Sequence, residues 1–303
     1  MSLSILRKFM ERVLKLSSKK GQWLALVILA LIWGSSFIFM KRGLESFSDM
    51  QVAAFRIFLS FIFLLPVALT RLKKLKKEHL KSLLIVGFIG NGIPSFLFTK
   101  AQTQVSSSVA GMLNTTVPLF ALITGFIFYK VRAKNKNIIG IFIGLIGAAF
   151  LILANPSTNF QTSSYYTLYI LAATLCYALS VNEIKQKLSN LDGVSIMAFA
   201  FLFIGPFAGL YLINSDYSNT LSTDNYLSNF IYIFLLAVLS SVVATILFNY
   251  LIKQTTALFA TSVTYLIPVV AIFWGFLDGE QISFYQLLSI GIILTGVNLV
   301  NKK

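Results

Sequence analysis

The stretch AGMLNTTVPLFALITGF at 110–126 returns 150 residues later as ATSVTYLIPVVAIFWGF at 260–276. Laid over one another, Ala110, Pro118, Ala121, Gly125 and Phe126 meet Ala260, Pro268, Ala271, Gly275 and Phe276 without a gap. The register continues upstream, where Leu97, Phe98 and Gln104 meet Leu247, Phe248 and Gln254. A shift of 144 relates the starts of the two halves, setting Trp33, Gly34, Ser36 and Lys41 against Tyr177, Ala178, Ser180 and Lys185. Each copy is a long apolar segment with a proline near its middle, a short polar turn, and a second apolar segment rich in small residues. Similarity at a fixed spacing marks a duplicated unit.

What was duplicated follows from composition. Of 303 residues, 57% are hydrophobic and 12% charged, and the mean hydropathy is +0.81. That is more apolar surface than a soluble core of this size can hide. A single cysteine, Cys176, rules out a disulfide framework and a thiolate metal cluster. A single histidine, His79, lies in a lysine-rich loop. No P-loop or clustered carboxylates accompany them, so neither a metal, a nucleotide cofactor nor membrane enzyme chemistry is expected. The excess of lysine over arginine, with abundant Ile, Asn and Phe, fits an AT-rich bacterial genome.

Ten apolar segments can be drawn at about 23–40, 51–70, 82–100, 107–128, 137–154, 165–184, 194–213, 229–251, 257–277 and 283–300. Each is close to the ~20 residues that a hydrocarbon core of ~30 Å requires. An all-α membrane protein with ten spans is therefore expected, organised as a first repeat at 21–155 and a second at 160–303. Residues 1–20 carry six Lys and Arg among Leu6, Phe9, Val13 and Leu16, which predicts a basic amphipathic helix on an anionic leaflet. A cleaved signal peptide fits less well, because no A-x-A site follows and the apolar run continues to Met40.

With both ends cytoplasmic, the inner connections hold 21 Lys and Arg and the outer ones only Lys41, Arg42 and Lys100. The asymmetry predicts that orientation. It also accounts for the net charge of +15 as topology and makes nucleic-acid binding unnecessary. Five spans per half is an odd number, so the second half must enter the membrane upside down. The repeated hairpin agrees: Lys130, Arg132, Lys134 and Lys136 in one copy give way to Asp278 and Glu280 in the other.

The order of W-G-S-S-F at Trp33 to Phe37, prolines at Pro118 and Pro268, and Gly279-Glu280-Gln281-Ile282-Ser283 before the last span resembles the EamA-type transporters of the drug/metabolite transporter superfamily. The resemblance covers nearly all of residues 21–300. It implies ten helices, cytoplasmic termini, and alternating-access movement of a small metabolite across a bacterial inner membrane, usually outward. Where the family commonly has Gly-Glu-Arg in its first hairpin, this chain has Tyr129-Lys130-Val131, and Ile267 stands where many members carry an acid.

Transport needs polar groups at mid-membrane depth, since apolar faces offer a hydrophilic solute nothing in exchange for its water. Asn91, Ser95 and Thr99 form such a stripe on helix 3, and Ser241, Thr245 and Asn249 repeat it on helix 8. Asn114 and Thr115 precede Pro118, and Thr264 and Tyr265 precede Pro268. A proline frees the carbonyl four residues before it, so these positions suit substrate binding and the two prolines suit hinges. Trp33 and Ser36 on helix 1 match Tyr177 and Ser180 on helix 6 as cavity walls. The plainer alternative for all of them is interhelical packing and hydrogen bonding.

Among the few ionisable groups, Arg56 lies about two turns inside helix 2. It is placed either to snorkel to the surface or to pair with a substrate carboxylate. Glu183 sits beside Lys185 and Lys187, as a local ion pair or a proton relay. Trp274 reads as an interfacial anchor. Gly140, Gly144 and Gly147 on helix 5, with Ser289, Gly291, Thr295 and Gly296 on helix 10, predict close packing or a homodimer face. A secondary transporter is expected, with a channel-like facilitator or passive scaffold as the alternative.

Overall fold

A computed structural model describes residues 18–130, 134–154, 160–254 and 263–301. Of 160–164, 249, 252–254, 300 and 301 it describes the backbone alone. The basic N-terminal segment, Arg132 and the first turn expected for the ninth span lie outside the described residues. All regular structure among the described residues is helical. Eight helices are long and apolar enough to cross a membrane and two, α9 and α10, are shorter. In chain order they are α1 (Lys19–Leu44), α2 (Asp49–Arg71), α3 (Lys77–Gln102), α4 (Ser107–Tyr129), α5 (Asn135–Leu153), α6 (Phe160–Lys187), α7 (Gly193–Ile213), α8 (226–254), α9 (Val263–Leu277) and α10 (Phe284–Asn301).

The helix starts are set by polar side chains that satisfy the first backbone donors. Ser48 and Gln51 form a reciprocal capping box on α2 (3.2 and 3.0 Å), and Ser283 and Gln286 do the same before α10 (2.9 and 3.2 Å). Asp192 caps α7 through Ser195 N–H at 3.0 Å. It stands 144 residues after Ser48, so the second shift in the sequence marks two equivalent helix starts. The ends of α4 and α9 repeat as well. Lys130 N–H bonds Gly125 C=O as Glu280 N–H bonds Gly275 C=O at 2.9 Å. Gly279, at φ +77°, supplies the left-handed residue this turn requires.

Between helices, contact depends on small residues and shape, since lipid gives apolar side chains no reason to prefer each other. The principal partners are α2 with α7 and α5 with α10, while α4 lies on α6 as α9 lies on α1. Gly205 and Gly209 of α7 receive the rings of Phe61 and Phe58. Gly296 of α10 is so close to Gly140 and Gly144 of α5 that a methyl group would stand 2.5 Å from backbone. The glycines expected to mediate close packing thus face each other within one chain, leaving Gly291 and Thr295 outward. Large apolar side chains such as Ile213 (82% exposed) and Phe276 (71%) cover the outside, as a lipid-facing surface demands.

Two polar clusters close the bundle's ends. At one end, Asn229 at the start of α8 donates to Ser46 beyond α1 (2.8 Å). There too Gln51 reaches the Asp216 carbonyl beyond α7 (2.8 Å), and Lys41 pairs with Asp278 beyond α9 (2.5 Å). At the other end, Arg71, which ends α2, and Lys74 just beyond it pair with Asp192. Ser82 of α3 and Tyr129 at the end of α4 both donate to Glu183 near the end of α6. His79 is not a solvated loop residue there: it is buried against Asn190 (3.1 Å).

Candidate functional site

The middle of α3 is not a regular α-helix. Ile85–Gly92 forms a π-helix, and Leu236–Val243 of α8 forms another at the matching place in the second half. In α3 the cause is legible: Pro94 has no N–H for the Gly90 carbonyl, and three glycines resist the helix little. The Asn91 amide donates back to Val86 C=O at 2.8 Å and closes the wide turn. Such turns widen the backbone and often mark functional sites.

Both π segments receive a neighbour. Trp33 of α1 donates its indole N–H to Ser240 C=O at 3.1 Å and meets Phe248 edge-on at 5.1 Å between centroids. Ser180 of α6 seats on Gly90, where a methyl group would come within 2.1 Å of its hydroxyl. Ser240 is Gly90 shifted by 150, and Ser180 is Ser36 shifted by 144, one turn from Trp33. The same crossing is therefore made twice, α1 on α8 and α6 on α3. Tyr177, one turn before Ser180, stacks on Phe98 at 5.8 Å, and Phe98 touches Phe37 at 6.0 Å.

Arg56 enters between these crossings. Its Nε donates to Ser241 Oγ at 3.0 Å, next to the residue that holds Trp33, and its guanidinium reaches the Tyr177 hydroxyl. Ser241 lies fifteen residues into α8, roughly 20 Å of helix, so the side chain is turned into the bundle rather than along α2 to the membrane surface. It is only partly buried.

The other expected residues divide by exposure. Trp33, Ser36, Asn91, Asn114, Tyr177, Thr245, Thr264 and Tyr265 keep accessible surface, whereas Ser95, Thr99, Thr115 and Ser180 are buried. Ser36, Ser95, Thr99 and Thr115 spend their hydroxyls on carbonyls of their own helices, at 2.5–3.0 Å, which leaves them little to offer a ligand. Asn114–Thr116 is a 3₁₀ turn one residue short of Pro118, a local break of the kind expected for a hinge. Pro268 instead sits inside the continuous helix α9. The side chain of Asn249 lies outside the described residues.

Away from the centre, a half-open cleft of about 190 Å³ is lined by Ile38, Phe39, Arg42, Tyr232, Trp274, Leu277 and Asp278. Trp274 is not a free interfacial anchor: it donates to Ser35 Oγ at 2.7 Å and ties α9 to α1. Beside it Glu280 accepts from Ser107 N–H (2.8 Å), Ser108 N–H (3.0 Å), Ser108 Oγ (2.6 Å) and Lys41 Nζ (3.0 Å). Burial disfavours that charge, but the Ser108 and Lys41 donors outweigh it and hold the carboxyl below its usual range. Among the described residues no group of His, Cys, Asp and Glu could hold a metal ion.

Residues 20–153 and 164–302 match the EamA-like transporter family. The chain belongs to that family. This EamA-like chain is 30% identical to the "Uncharacterized inner membrane transporter YedA" of Escherichia coli K12 over 91% of its length and 89% of the relative's. It is 24% identical to the "Uncharacterized transporter YoaV" of Bacillus subtilis, over 90% and 94%. A solved crystal structure with 16% identity shares the fold at a TM-score of 0.62, covering 93% of this chain and 96% of the other.

Proposed function

We propose that this protein is a secondary transporter of the bacterial inner membrane. It exports a small metabolite, an amino acid or a related amphipathic or aromatic compound, by alternating access between two inverted five-helix halves, residues 21–155 and 160–303, with both termini cytoplasmic. The observation that carries the reading is the doubled crossing at mid-bundle. Trp33 on Ser240 and Ser180 on Gly90 bring the halves together through equivalent helices, each at a π turn. Inversion is supported by the helix ends: α1 finishes in the Asp278 cluster, whereas its counterpart α6 finishes in the cluster of Ser82 and Tyr129. Substrate would lie among Trp33, Asn91, Tyr177, Thr245, Asn249 and Tyr265, with the turn before Pro118 and the helix around Pro268 as hinges. A homodimer would have to use what α5 and α10 leave outward.

The alternative is a channel-like facilitator. The contacting rings of Phe37, Phe98 and Tyr177 argue against a continuous open pore. Uptake into proteoliposomes, with and without a pH gradient, separates the two: saturable flux with counterflow supports transport, and conductance at channel rates refutes it. Asn249→Ala and Tyr265→Ala should each lower that uptake severalfold, and the site is misassigned if both leave it unchanged. For topology, Cys176 is first replaced. Thr103→Cys should then react with an impermeant maleimide in intact cells, and Ser189→Cys only after permeabilisation.

A further inference from the structure

A cation within a membrane-spanning helix is costly unless it is paired or serves a ligand. Among the described residues no carboxylate reaches Arg56. Asp278 and Glu280 are taken by Lys41 and Arg42, Asp192 by Arg71 and Lys74, Asp49 by Lys100, and Glu183 by Ser82 and Tyr129. Yet Arg56 retains accessible surface while turned toward α6 and α8. Turning that surface to lipid would be costly.

We propose that Arg56 anchors a carboxylate of the transported molecule, so that the substrate class is monocarboxylates with an apolar or aromatic body. This rests on the transporter reading and narrows it. The guanidinium spends Nε on Ser241 and reaches the Tyr177 hydroxyl through a terminal nitrogen; each terminal nitrogen carries two N–H groups, so a pair remains to match the two oxygens of a carboxylate. The Tyr177 hydroxyl stands beside it as a further donor. The rings of Trp33, Phe248, Tyr177 and Phe98 flank the site and suit an apolar body. A single negative charge is indicated because the second half has Ala200 where the 144-residue shift would repeat Arg56.

The test uses purified full-length protein in proteoliposomes, with empty liposomes subtracted, and three probe pairs that differ in one group. These are indole-3-acetate and indole-3-acetamide, 3-phenylpropionate and its amide, and N-acetyl-leucine and its amide. Saturable uptake should favour at least one acid over its amide by about tenfold or more, the size of a hydrogen bond to a charged group. Arg56→Gln should reduce that preference to within about twofold, while Arg56→Lys, which keeps the charge without the fork, should retain part of it. A merely structural arginine would alter stability and total flux but not the acid-to-amide ratio. Where Arg56→Gln does not elute as folded protein, Arg56→Lys decides: an unchanged ratio overturns the proposal. Equal uptake of acids and amides overturns the carboxylate assignment and leaves the transporter standing. No saturable uptake of any probe overturns both.

Discussion

Glu280 should matter more than the lysine it pairs with. Its carboxylate, 6% exposed, holds four donors, and only one of them belongs to Lys41. The Ser107 and Ser108 N–H groups are the opening donors of α4, which no turn of helix can satisfy and which carry the positive end of the helix dipole. Truncation to alanine strands those donors and the Ser108 hydroxyl in a buried place. The loss of one partner from a buried charged pair sets the scale at about 3 kcal/mol. Lys41→Ala leaves Glu280 its three other donors, and Lys41 is itself 32% exposed. Its loss should cost about 1 kcal/mol, as for an exposed pair. In thermal unfolding of the purified protein, at about 2 °C per kcal/mol for a chain of this size, Glu280→Ala should lower the midpoint by about 6 °C and Lys41→Ala by about 2 °C. If Lys41→Ala costs as much as Glu280→Ala, the ion pair dominates and the capping argument is wrong.

The same carboxyl gives a pH dependence. Glu280 is held below its ordinary 4.5 on folding. Asp192 is held well below 3.8, since Lys74, Ser195 and Arg71 outweigh its burial. A carboxyl depressed by folding stabilises above its unfolded value and loses that effect as pH falls through the folded one. The midpoint should therefore be steady near neutrality and decline below about pH 4.5, with a shallower decline in Glu280→Gln; a decline of equal slope in the variant removes Glu280 as the cause. Glycine spacing gives a paired prediction. A methyl group at Gly111 would stand 2.3 Å from Ala271 Cβ, whereas at Gly291 it meets nothing within 4 Å. Gly111→Ala should destabilise by about 1–3 kcal/mol and Gly291→Ala should be neutral or slightly stabilising, read as opposite shifts of the same melting curve.

Which parts of this molecule could be read from its residues follows from what each signal measures. The 150-residue register found equivalent spans because apolar identity at fixed spacing survives duplication. The Ser-x-x-Gln pairs at Ser48 and Ser283, which cap α2 and α10, are a local signal that the sequence reading passed over. Rotation about a helix axis is not local. The sequence puts Arg56 two turns inside its helix, but nothing in its neighbours tells whether it faces lipid or Ser241, nor that Trp274 bonds Ser35. The polar stripe of Asn91, Ser95 and Thr99 has the spacing of a lining face, yet that spacing equally suits hydroxyls bonding the carbonyl four residues back, which is how Ser95 and Thr99 are used. The π turn of α3 had a signal in Pro94 and its glycines. That of α8 has neither proline nor glycine within Leu236–Val243, and only the duplication would have suggested it.

The two ends of the bundle differ in a way that bears on direction. Both are closed by equivalent helices, α9 on α1 at one end and α4 on α6 at the other, but with unequal chemistry. At the first, Asp278 and Glu280 face Lys41 and Arg42, so opening must separate charges already compensated. At the second, Arg71 and Lys74 compensate Asp192 where α2 meets α7, but where α4 lies on α6 Glu183, 7% exposed, is held by two neutral hydroxyls, Ser82 and Tyr129. A buried carboxylate without a cation gains hydration when water reaches it, so that end should open at lower cost. In the proposed orientation it is the cytoplasmic one, which would let substrate enter from inside first, as export requires. Glu183→Gln keeps two hydrogen-bonding positions and removes the charge, and should hold that end shut. A cysteine at Asn182, buried against Thr124 of α4, on the Cys176-free background, would then label severalfold more slowly in inside-out vesicles than in the parent. Equal or faster labelling would mean that Glu183 is not what favours opening there.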